Sequence, residues 1–207
     1  MEITKRDEKI YKFIEKHGFA TVKQITNVFF NDILYGSTLA KRRLDCLIEH
    51  GYVKSDKSTN CEQNIFYSDD KFKKQTFHNI LVMDIYTEFL KIDDLDVLNF
   101  ERNKGFGNNK IYSDAFITVK YDSFDKTIIQ SFIIEVETSN NNYRNTLSKY
   151  NDVDVYNDIV SLCDGYGAAL VFVDPIKHSM DNIKCPWPVI QLNENLTNFP
   201  LIFASTD

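Results

Sequence analysis

The 207-residue chain is poor in the residues that interrupt or cross-link structure: 7 glycines, 4 prolines and 4 cysteines. So few breakers leave no room for a long flexible linker or a low-complexity tract, and no internal repeat is visible. The cysteines, Cys46, Cys61, Cys163 and Cys185, lie far apart. No CxxC pair exists and none has a histidine at ligand spacing, which argues against a structural zinc site and for free thiols in a reducing cytosol. Long apolar runs are missing too. Ala168 to Val173 is among the longest, far short of the ~20 residues needed to span a bilayer, so no membrane association is expected. The first nine residues are charged and lack an apolar signal core, so export is not expected and a cytoplasmic location is.

What is abundant is aromatic residues and unevenly placed charge. Sixteen Phe and eleven Tyr supply core material and argue against disorder. The chain carries 24 Lys+Arg against 30 Asp+Glu, a net of −6. Residues 1–77 hold 14 basic and 11 acidic groups (+3), and residues 78–207 hold 10 and 19 (−9). A basic head on an acidic body implies two units with different partners, here read as residues 1–75 and 76–207.

The head reads as three helices and a hairpin. Thr4 with Asp7 and Glu8 marks a helix start, Ile10, Phe13 and Ile14 its apolar side, and Gly18 its end. A second helix is expected over Ala20 to Phe30. A third begins near Ser37 or Thr38, with Leu39, Leu44, Leu47 and Ile48 inward, Lys41, Arg42 and Arg43 on the other face, and Gly51 after it. Two strand-like runs follow, Tyr52-Val-Lys and Ile65-Phe-Tyr. That order describes a winged helix-turn-helix, whose third helix would enter the major groove of double-stranded DNA. Thr38, Lys41, Arg42 and Arg43 are the candidates for base edges and phosphates, with Lys57 in the wing. The plain alternative is a three-helix protein-interaction module with a solvated basic face.

A bridging helix is expected from about Thr76 to Lys91, carrying His78 and Asp84. The body then shows two β-branched and aromatic runs around Ile111 to Lys120 and Ser131 to Thr138, an antiparallel hairpin. Alternation puts Glu135 and Glu137 on one strand face, and Asp114 sits on the neighbouring strand. Gathered carboxylates cost desolvation and repulsion, which Mg2+ or Mn2+ would relieve. The alternative is that the glutamates pair with a nearby Lys or Arg. A helix with Arg144, Lys149 and Tyr150, a helix over Val155 to Leu162, a buried strand Ala168 to Val173 and a last short strand within Pro186 to Leu192 complete a mixed sheet flanked by helices.

Taken in order, these pieces resemble the replication-relaxation proteins of plasmids and conjugative elements, which include the C-type mobilisation relaxases. The resemblance spans roughly residues 5–175 and rests on short motifs: His78 to Asp84, Ser113-Asp114-Ala115, Glu135-Val136-Glu137-Thr138 and Lys149-Tyr150. It implies an α+β fold, a winged helix-turn-helix followed by a mixed-sheet, restriction-endonuclease-like domain of the PD-(D/E)XK kind. It implies nicking or relaxation of double-stranded DNA at an origin or transfer-origin site, with Asp114, Glu135 and Glu137 on a divalent metal, His78 as an acid/base or phosphate donor, and Lys149 stabilising charge. Relaxosome or replication proteins would be partners. Two departures stand out: Ser113 replaces the family's proline, and Glu137 replaces the lysine of such nucleases. The second favours a rival, a non-catalytic DNA-binding accessory protein or repressor whose body serves dimerisation or protein contact. A protein-interaction adaptor that binds no nucleic acid is the third alternative.

Overall fold

A computed structural model describes residues 1–59, 63–123, 126–137, 143–164, 167–176 and 185–203. Cys61 and Thr138 lie outside the described residues. Among those described, the protein is mixed α and β, with six α-helices, a three-stranded sheet and a five-stranded mixed sheet. The chain divides into two compact units, Met1–Lys91 and Ile92–Asp207.

In the first unit, α1 (Lys5–His17) starts at a reciprocal capping box: the Thr4 side chain accepts from the Asp7 N–H, and the Asp7 carboxylate accepts from the Thr4 N–H at 2.7 Å. Gly18 closes it at φ 89°, where an added Cβ would meet the Phe72 ring at 2.5 Å. β1 (Phe19–Thr21) leads into α2 (Val22–Phe29), capped by a second box between Thr21 and Gln24. The expected second helix thus gives up Ala20 and Thr21 to a strand. α3 is Gly36–Glu49. Strands β2 (Lys54–Lys57) and β3 (Asn64–Tyr67) form, with β1, an antiparallel sheet in the order β1-β3-β2. Ile10, Ile14, Ile25, Phe30, Ala40, Leu44, Leu47 and Phe66 share its core.

Helix α4 (Phe77–Leu90), capped by Thr76, belongs to this first unit rather than to the body. The boundary therefore falls between Lys91 and Ile92, not at residues 75–76. The reason is a polar tie to α2. Asp84 accepts from Lys23 Nζ at 2.8 Å and from Gln24 Nε2 at 2.7 Å, and Gln24 also donates to the Ile80 carbonyl. Asn27 donates to Glu88 at 2.9 Å beside them.

The second unit is built on a five-stranded sheet in chain order. β4 (Leu95–Phe106), β5 (Ile111–Ser123) and β6 (Lys126–Val136) run antiparallel, and β7 (Ala168–Val173) and β8 (Val189–Leu192) are parallel to β6. Between β6 and β7 the chain forms α5 (Tyr143–Ser148), a 3-10 turn at Lys149–Asn151 and α6 (Val153–Leu162). These cover one sheet face, where Phe106, Phe116, Ile133, Leu147, Tyr150, Val155, Ile159, Leu170 and Phe172 pack together. The long β4 has no counterpart in the sequence reading. A bulge between Val97 and Asn99 shifts its alternation by one residue, and Phe106 is its one buried residue, so no clean period of two is written in it.

Candidate functional site

The outward face of α3 carries Thr38, Lys41 and Arg42, all exposed. Lys41 is paired with Asp45 one turn on. Arg43 is different. Its guanidinium reaches back to α1, donating Nε–H to Asp7 Oδ1 at 2.6 Å and Nη2–H to Asp7 Oδ2, and Nη2–H also meets the Glu2 carbonyl at 2.9 Å. Its side chain is 12% exposed and that of Asp7 is fully buried. Three consecutive helical residues span about 200° of arc, so the basic triplet cannot share one face. Arg43 joins the helices and Arg42 faces outward. Burial acts to raise the Asp7 pKa, but the Arg43 and Thr4 hydrogen bonds outweigh it and hold the carboxyl below the usual range. Lys57 is exposed at the end of β2, opposite Asn64.

His78 lies half-buried in the first turn of α4, in the first unit. Asp114, Glu135, Glu137 and Lys149 all lie in the second. Asp84, read with His78 as a motif, is the buried partner of Lys23 and Gln24. Burial is the dominant influence on it and raises its pKa despite Lys23.

In the second unit the hairpin register pairs Ala115 with Ile134, and continuing it by one residue sets Asp114 across from Glu135. Both therefore face the α5–α6 side, as Phe116 and Ile133 do. Asp114 Oδ2 accepts from the Val136 N–H at 2.7 Å. Glu135 Oε1 accepts from the phenol of Tyr150. Tyr150 is fully buried, and burial, then the charge and hydrogen bond of Glu135, then the charge of Asp114, push its pKa well above that of a free phenol. Glu137 sits just past the end of β6, where its N–H donates to the Val173 carbonyl at 2.8 Å and continues the β6–β7 pairing. Lys149, expected to approach the acids, is exposed at the start of the 3-10 turn.

Tyr150, the neighbour of Lys149, thus reaches Glu135. The signal was present in the sequence as one aromatic next to a basic residue on a short helix, lost among eleven tyrosines. Tyr156 stacks on Trp187 with ring centroids 5.0 Å apart, and the Tyr143 side chain lies outside what is described. Among the described residues no group of three or more His, Cys, Asp or Glu is placed to hold a metal ion. The structure brings Asp114 and Glu135 to facing strand positions and does not gather Glu137 with them into such a group. No helix among the described residues is long and apolar enough to cross a membrane.

No known protein-family model, curated protein or solved structure matches the chain.

Proposed function

We propose that this is a DNA-binding protein of a plasmid or other mobile element that nicks or relaxes DNA at a replication or transfer site. The first unit would be a winged helix-turn-helix. Three helices, a three-stranded antiparallel sheet in the order β1-β3-β2, and an outward α3 face of Thr38, Lys41 and Arg42 support that reading. Arg42 and Lys41 would meet phosphate oxygens or base edges, Thr38 the groove wall, and Lys57 the flanking backbone. Arg43, held by Asp7, would set the angle of α3 rather than touch DNA.

The observation that carries the catalytic reading is the placement of Asp114 across from Glu135, on an antiparallel hairpin followed by a helical crossover to a parallel strand. That order supports reading the second unit as a nuclease-like core. Two facing carboxylates offer hard oxygen ligands of the kind Mg2+ takes. Mg2+ is commonly bound by one or two carboxylates together with substrate phosphates, so a pair fits it without a third acid. When bound, such an ion supplies polarisation of the scissile phosphate and a more acidic water. Tyr150 would hold the Glu135 carboxylate in one orientation while leaving its negative charge in place. The Val136 N–H would do the same for Asp114. Lys149 would meet the phosphate from the solvent side.

A second reading, a non-catalytic DNA-binding accessory protein, is favoured by Glu137 standing where such nucleases carry a lysine. One experiment separates them. Supercoiled plasmid from the protein's own genetic neighbourhood is incubated with Mg2+ or Mn2+, or with EDTA, using the wild type and Glu135→Gln. Metal-dependent open circle, absent with Glu135→Gln, is expected. No conversion, with salt-sensitive binding of the same DNA that Arg42→Ala weakens, transfers the conclusion to the accessory reading.

A further inference from the structure

The strongest concentration of unpaired positive charge in the first unit is not on α3. Lys5, Lys9, Lys12 and Lys16 follow one another along α1 at spacings of four, three and four residues, and all four are exposed. At 100° per residue they fall within a sector of about 60°. They form a single row about 16 Å long. Among the described residues none of the four lies in an ion pair. Glu8 and Glu15 flank one edge of the row, and Glu15 accepts from the Tyr11 hydroxyl at 2.9 Å. Arg6 flanks the other edge, lying over the Phe30 ring at 4.9 Å.

The outward face of α3 has two cations, Lys41 and Arg42, against two acids, Asp45 and Glu49, and Lys41 is already paired with Asp45. The two basic surfaces point different ways. Asp7, which binds Arg43 of α3, lies roughly opposite the lysine row on the α1 wheel, and Ile10 and Ile14 bury that same side. The row therefore faces away from α3. It also works against its own helix. Like charges at i,i+4 repel one another, and Lys5 sits at the N-terminal end, where the helix dipole disfavours a cation. Glu8 and Glu15 at the edge of the row and the position of Lys16 in the last turn offset part of that cost, and the row still presents one continuous positive edge to solvent.

We propose that the Lys5–Lys9–Lys12–Lys16 row is a second nucleic-acid contact surface, binding the phosphate backbone without regard to sequence. A row of about 16 Å spans about five base steps of a duplex, whose phosphates recur every 3.4 Å per strand along the axis. Flexible ammonium groups suit that repeating charge and impose no geometry on the bases. The surface extends the DNA-binding reading to a different face and does not require α3 to be the reading helix.

The test is fluorescence anisotropy of a random-sequence 30-base-pair duplex across a KCl series, with the full chain. The variants are Lys→Gln at all four positions, Lys→Arg at all four, and Arg42→Ala. The glutamine variant should lose more than tenfold in affinity at low salt, and its log K against log[salt] slope should be shallower by about 3 to 4. The arginine variant should keep the wild-type slope, and Arg42→Ala should change it by about 1 or less. Should the glutamine variant unfold by circular dichroism, single Lys→Gln variants still read the proposal through a slope change of about 0.9 each. A wild-type slope in a folded glutamine variant overturns it. So does unchanged duplex binding alongside lost binding to phosphatidylserine vesicles, which makes the row a lipid surface. Loss of duplex binding in the glutamine variant with none in Arg42→Ala supports the row and removes α3 from the DNA contact, so the two readings fail separately.

Discussion

Two helix contacts in the first unit are each tied by one buried aspartate, and the two aspartates are perturbed in opposite directions. Between α1 and α3, Asp7 meets Nε and Nη2 of Arg43 and the capping groups of Thr4, which together outweigh burial and lower its pKa. Between α2 and α4, Asp84 meets Lys23, whose side chain is 42% exposed, and the amide of Gln24; here burial wins and the pKa rises. Burial is the largest single influence on both carboxyls, and what separates them is the balance against it: the Arg43 and Thr4 hydrogen bonds together exceed it at Asp7, and the Lys23 and Gln24 contacts do not at Asp84. A planar guanidinium fork supplies two at once, while a single ammonium on a solvent-bathed stem supplies one.

The difference can be broken at three points, and a buried phenol in the second unit offers a parallel case. The largest effect belongs to Arg43→Ala, which leaves Asp7 buried without its cation and should cost about 3–5 kcal/mol, read as a lower urea midpoint with unchanged slope. Arg43→Lys should recover less than half, since the fork is lost. In the second unit, Tyr150→Phe removes a buried hydrogen bond to a charged group and should cost about 1.5–3 kcal/mol by the same measurement. Absorbance titration should then lose one phenol that resists ionisation well above the others. Thr4→Ala breaks the capping box of α1 and should cost about 1 kcal/mol.

The smallest effect has the opposite sign. Asp84→Asn should leave stability unchanged or raise it by about 1 kcal/mol near neutral pH, because the asparagine oxygen still accepts from Gln24 and no charge need be buried. The pH dependence separates the two aspartates. Asp7, with its folded pKa below the unfolded value of about 3.9, contributes stability that is present above that pH and lost as pH falls through its folded pKa. Asp84, with its folded pKa raised, makes stability fall as pH climbs from about 4 up to its folded pKa. Urea midpoints between pH 3 and 8 should lose the first slope in Asp7→Asn and the second in Asp84→Asn. Retention of the upper slope in Asp84→Asn would assign it to another group.

The candidate site was legible in unequal parts. Asp114 and Glu135 were readable because each sits in a β-branched run whose alternation announces a strand, and hairpin pairing then limits which residues can face each other. Arg43 was misread because a basic triplet looks like one patch in the linear sequence, whereas its third member turns inward on the helix. Helix α4 was legible as a helix but not as a member of the first unit. It is apolar all round, and the contacts of Gln24 and Lys23 with Asp84, of Asn27 with Glu88 and of Phe13 and His17 with Tyr86 show which core it completes. Tyr150 was legible as half of the Lys149-Tyr150 pair but not as the phenol that meets Glu135, because a buried phenol and an exposed one have the same letter.

The sequence by itself determined what depends on neighbours along the chain: the Thr4–Asp7 and Thr21–Gln24 caps, the stop at Gly18, the helical spacing of Ile10, Ile14, Leu44 and Leu47, and the alternation through β5 and β6. These are set by hydrogen bonds and sterics reaching four residues or fewer. Tertiary structure decided what depends on residues 20 to 60 positions apart: the Asp7–Arg43 pair, the Asp84 tie, the facing of Asp114 and Glu135, and the strand β4 whose bulge hides its period. Those contacts are chosen by which apolar faces can be buried together, and that choice is made by the whole fold at once.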